Sequence, residues 1–132
     1  MAQPFRMQSA NNLRVTAHAR ALASEVYRVT ASFPARERYG LTAQMRRAAV
    51  SIGANISEGC GRSGDKELVR FLHIALGSAS ELEFQLQICA DLGLTTEQQS
   101  LKLTESIVRL KRMLASLIKA LRKSVHANPT HP

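Results

Sequence analysis

Apolar residues recur along this chain at steps that alternate between four and three. Val15, Ala19, Leu22, Val26, Val29 and Phe33 form the first such series. Leu41, Met45, Ala48 and Ile52 form the second, with Asn55 on the next step. Leu68, Leu72, Ala75, Ala79, Leu82, Leu86 and Cys89 form the third. Leu103, Ile107, Leu110, Leu114, Leu117 and Leu121 form the fourth. A mean step of about 3.5 residues keeps a narrow stripe turned toward a partner helix, the geometry of knobs packing into holes. A half-buried strand needs a period of two, and no segment has it.

Turn-forming residues fall between the four series. Pro34 and Gly40 in SFPARERYG separate the first from the second, and EGCGRSG separates the second from the third. Gly93 in DLGLTTEQ falls where a helix C-cap belongs, and Thr95 or Thr96 can cap the fourth helix. The spacing therefore predicts helices over 11–32, 41–58, 65–92 and 96–125, with the polar, proline-containing tail 126–132 disordered. Short connections between long amphipathic helices imply antiparallel neighbours. The expected fold is all-α: one domain, an up-down-up-down antiparallel four-helix bundle.

Composition agrees. At 132 residues, 45% apolar and 21% charged, the chain can bury a core without metal or disulfide support. It has no Trp, two Tyr and four Phe, which leaves little strand-forming material. Two cysteines, Cys60 and Cys89, make no C-x-x-C pair, and the four histidines have no metal-ligand spacing, so no metal or cofactor is expected. No apolar run is long enough for a membrane span, and MAQPFRMQSANNLRV lacks a signal core, so the expected location is cytoplasmic.

Gly59, Gly61 and Gly64 spell the G-x-G-x-x-G of a dinucleotide-binding loop. That loop needs a strand before it and a βαβ unit around it. What precedes it here, RRAAVSIGANISE, is helical by spacing. The glycines are instead expected to end the second helix at Gly59 in a left-handed cap and to turn the chain into the third.

Charge adds the main functional signal. The net charge is +8, and 13 of the 18 cations are arginine, which fits an acidic partner such as nucleic acid. With the fourth stripe placed at Leu103 to Leu121, Arg109, Arg112, Lys119 and Lys123 point outward, flanked by Lys111 and Arg122. From Ser106 onward the chain has no Asp or Glu, so no ion pairs are expected to dilute the patch. The six cations are the candidate phosphate contacts, and the scarcity of aromatics argues for backbone and shape recognition with little reading of sequence.

The second helix and its corner carry polar residues read as structural: Arg46, Arg47, Asn55, Glu58, Gly59 and Arg62. Asn55 on the stripe would fix register. Glu58 at the helix C-terminus opposes the dipole and needs Arg62, or the amides opening the third helix, as compensation. Gly77 in ALGSAS is expected to admit a close neighbouring backbone, in the same chain or another. No nucleophile, base or paired carboxylate can be assembled, so no enzymatic activity is expected.

The run LTAQMRRAAVSIGANISEGCGRSGDKELVRFLHIALGSASELEFQL (41–86) resembles the family of the 23S rRNA intervening-sequence proteins, with diversity-generating retroelement accessory variability proteins similar to it. The likeness is most specific over 46–62 and 66–83 and extends to VYRVTASFP (26–34). It implies a basic cytoplasmic bundle assembling as a homopentamer, nucleic-acid association, and, in the retroelement branch, a reverse transcriptase as partner. It supplies no catalytic residue. The chain departs from the family at Gly53, where proline is common, and at Ser63 and Gly64, where a further basic residue usually follows Arg62.

Overall fold

The four apolar series close into four helices, described by a computed structural model over residues 10–127. They are α1 (Ala10–Thr30), α2 (Leu41–Cys60), α3 (Asp65–Asp91) and α4 (Glu97–Ala127), with a 3-10 turn, Ala35–Glu37, between α1 and α2. Among the described residues there is no strand. His126 and Ala127, assigned by sequence to the tail, continue α4, and the rest of that tail lies outside the described residues. The helices form an antiparallel ring: α1 packs on α2 and α4, and α3 packs on α2 and α4, so α1 and α3 occupy opposite corners.

The stripe of α3 is buried at every predicted position, from Leu68 to Cys89. Those of α2 and α4 each shift by one residue at their C-terminal ends. On α2, Ile56 is fully buried while Asn55 is half-buried and donates to the carbonyl and hydroxyl of Ser51 in its own helix. Asn55 therefore fixes no register across the core; only Ser51, bonded to Ser78 of α3 at 2.9 Å, carries that network between helices. On α4, Ile118 is buried and Leu117 only partly so. In both cases a step of four replaces a step of three, because a straight helix of 3.6 residues per turn drifts away from a 3.5-residue repeat.

Side chains and caps fix the corners. At the end of α3, Leu94 N–H donates to Cys89 C=O at 2.9 Å and Gly93 N–H to Ala90 C=O at 3.1 Å. This is a Schellman closure, and Gly93 supplies the left-handed φ of 71° it requires. At the start of α4, Gln99 N–H donates to Thr96 Oγ1 and Thr96 N–H to Gln99 Oε1, a reciprocal capping box. Arg46 on α2 donates to Thr30 Oγ1 and Tyr27 C=O and stacks on the Tyr27 ring, tying α2 to the end of α1.

The α2–α3 corner corrects a sequence expectation. Gly59 is not a left-handed cap: it lies inside α2, which runs to Cys60, and the left-handed glycine of this corner is Gly64, φ 84°. What Gly59 supplies is proximity. A Cβ there would lie 2.8 Å from Phe71 Cβ and 2.9 Å from Leu68 Cδ1. Arg62 supplies the compensation Glu58 needs, at 2.9 Å, but both side chains are about half exposed, so the pair contributes under about 1 kcal/mol.

At Gly77 the expected close neighbour does not come from the described residues of its own chain: the position is exposed, and a Cβ there would meet none of them within 4 Å. Gly77→Ala is thus expected to stabilise the chain by about 0.5–1 kcal/mol through the helix propensity regained. Denaturant unfolding checks it, and a loss of stability would place a close neighbour over this position.

Candidate nucleic-acid interface

The capping box starts α4 at a fixed point, and burial of Leu103, Ile107, Leu110, Leu114 and Ile118 sets its rotation. With the rotation set, Arg109, Arg112, Lys119 and Lys123 are exposed on its outer side, and Arg122 is exposed beside them toward α3. Lys111 is the exception. It is half-buried and pairs with Glu83 of α3 at 2.9 Å. The acid-free stretch of α4 is therefore not free of ion pairs, because the neighbouring helix supplies a carboxylate that a reading of α4 alone does not see. Lys111 belongs to the α3–α4 contact, not to the open patch.

Arg122 reaches His73 of α3, with 2.8 Å between its Nη2 and His73 Nε2. Arginine has no acceptor, so it donates and His73 Nε2 accepts, which puts the imidazole proton on Nδ1. Arg109, Arg112, Lys119 and Lys123 pair with no carboxylate among the described residues. Elsewhere Glu25, Glu58 and Glu67 pair with arginines one turn along the chain. The Arg28 hydrogen bond holds the Glu25 carboxyl below its ordinary range, and Arg70 does the same for Glu67. What sets α4 apart is local: beyond Glu105 it carries six cations and no acid of its own.

Grooves run on both sides of the crest of α4. On the α3 side, Leu76, Ala115 and Ile118 floor a cavity of about 380 Å³ whose rim carries Lys119, Arg122 and Lys123. On the α1 side, a groove of about 320 Å³ brings Arg14 of α1 alongside Arg109 and Arg112. Sequence reasoning missed Arg14. The available signal was the absence of any acid before Glu25, combined with the antiparallel register that sets the start of α1 against the end of α4.

The corner residues lie elsewhere. Arg46, Arg47, Asn55, Glu58 and Gly59 all belong to α2, diagonal to α4 in the ring, and Arg62 follows α2 directly. Arg47 is exposed, and Arg62 stacks over Phe71 at 5.2 Å.

The buried thiols carry no surface chemistry. Cys60 is 1% exposed and Cys89 0%, with Cys89 Sγ 3.3 Å from Met45 Sδ. Burial chiefly, and the charge of Glu37 secondly, push the Cys89 thiol from 9.0 up to about 11. A raised pKa means the folded state holds its proton more tightly, so this contribution to stability is complete below pH 9.0 and is lost as pH rises toward about 11. Neither thiol is expected to react with Ellman's reagent in the folded protein at neutral pH, and both should react in guanidinium. Rapid labelling of the folded protein would contradict the packing.

A family model described as 23S rRNA-intervening sequence protein matches residues 11–116. The crystal structure of a protein of unknown function from the S23 ribosomal protein family of Bacteroides thetaiotaomicron superposes with a TM-score of 0.75. That alignment is 23% identical and covers 83% of this chain and 98% of the other, a likeness of fold. The sequence has no match among curated proteins.

Proposed function

We propose that this chain, which belongs to the 23S rRNA-intervening sequence protein family, is a non-enzymatic bundle binding nucleic acid by its phosphate backbone through the crest of α4. One observation carries the reading: Arg109, Arg112, Lys119 and Lys123 stand exposed on one rigid helix with no carboxylate partner among the described residues. Surface cations kept for solubility are ordinarily interspersed with acids, and this crest has none beyond Glu105. Cations fixed along a helix neutralise successive phosphates and release counterions, which gives affinity without sequence preference.

The test is an anisotropy titration of a labelled structured RNA and a matched DNA duplex, with Lys119→Glu plus Lys123→Glu beside wild type. Each lost phosphate contact lowers the slope of log K against log salt by about 1, so the double variant is expected to flatten it by about 2. An unchanged slope sinks the assignment.

A second reading, a protein-docking module, is favoured by one feature of α3. Ile74 and Phe84 are exposed along the stripe that also holds open Gly77. The occupant would be another copy of this chain or a partner for which it is an accessory subunit, such as a reverse transcriptase. Failure of wild type to bind either nucleic acid at low salt would move the assignment to this stripe.

A further inference from the structure

The α1–α4 groove differs in kind from the crest beside it. Three arginines line it, Arg14 from one helix and Arg109 and Arg112 from the other, while Met113, Leu117 and Ala120 contribute apolar lining. None of the three arginines pairs with a carboxylate among the described residues. A guanidinium presents a planar fork that matches two phosphate oxygens at once, which a lysine does not. Cations on both walls make this a clamp.

We propose that this groove seats one unpaired nucleotide of a single strand, its phosphate between Arg14 and the Arg109–Arg112 pair and its sugar or base on the apolar floor. The assignment rests on the nucleic-acid reading above and adds a strand preference to it. Phosphate chemistry alone would be served by the open crest. The apolar floor asks for more, because a duplex keeps its bases stacked inside and would leave the floor uncovered. A volume of about 320 Å³ is near the lower end of small-molecule sites, about 300 Å³, and suits one nucleotide. Met113 supplies a polarisable thioether able to lie against a base in place of an aromatic ring.

Anisotropy with a labelled 12-nucleotide single strand and the duplex of the same sequence, across salt, tests this with three variants of exposed residues. The expected result is several-fold tighter binding of the single strand. Arg14→Ala should weaken it and reduce its salt slope by about 0.7, the value for one single-strand phosphate contact. Arg14→Lys should keep the slope yet lose several-fold in affinity, since the charge remains and the fork does not. Ala120→Phe, which fills the groove, should erase the strand preference while leaving duplex binding intact, with circular dichroism confirming the fold of each. If the single strand binds and Arg14→Ala and Ala120→Phe both behave as wild type, the seat is overturned and the crest reading stands. If neither nucleic acid binds, the crest reading and the seat both fall.

Discussion

Gly59→Ala is expected to destabilise the fold by about 1–3 kcal/mol, the range for overpacking a filled core. The direction is the informative part, because removing a glycine from a helix interior ordinarily gains about 1 kcal/mol. Here the new methyl would fall 2.8 Å from Phe71 Cβ and 2.9 Å from Leu68 Cδ1. Phe71 Cβ is the first atom of its side chain, so it moves only with the backbone of α3. Leu68 is 1% exposed, which leaves its terminal methyl no free space to enter. The two helices would have to part at the corner, taking with them the ring on which Arg62 and Arg70 stack. Urea unfolding beside Gly77→Ala gives the comparison: the same chemical change should lower the midpoint at Gly59 and raise it at Gly77. A midpoint at or above wild type for Gly59→Ala would contradict the close approach.

Ile56→Ala should cost about 2–5 kcal/mol, the range for truncating a large buried aliphatic side chain. Ile56 is fully buried in the core on the turn that follows Ile52. Asn55→Ala is expected to cost under about 1 kcal/mol, since its amide donates only to Ser51 in its own helix and its neighbourhood is half solvent. Unfolding of the two variants under one set of conditions decides which residue the core is built on. A larger loss at Asn55 than at Ile56 would restore the strict 4-3 stripe and overturn the rotation of α2 described here.

These two sites also mark where sequence reading ends. The four helices, their order and the whole stripe of α3 follow from spacing, because burial of one face is a property each helix states for itself. The sequence misplaced Asn55 and passed over Ile118, buried more deeply than Leu117, because extending a 3.5-residue repeat accumulates a rotation that only the partner helices can correct. It read Gly59 as a turn residue because a glycine beside a corner has two uses, conformational freedom and close approach, and only the opposing helix distinguishes them. The cations of α4 were legible for the same reason as the stripe: they lie opposite it. That Lys111 is neutralised by Glu83, and that Arg14 joins Arg109 and Arg112, depends on register between helices, which no single segment encodes.

Binding through the crest of α4 would depend on where the charge sits, not on its total. Charge reversal at Lys119 and Lys123 can therefore be set against reversal at Arg36 and Arg38, which are exposed in the α1–α2 connection. Both double variants, Lys119→Glu with Lys123→Glu and Arg36→Glu with Arg38→Glu, remove the same charge from the native +8. The deciding measurement is the slope of log K against log salt for each on one RNA. The α4 variant should flatten the slope by about 2 while the α1–α2 variant keeps that of wild type. Equal flattening in both would mean that overall charge, and not the crest of α4, holds the nucleic acid.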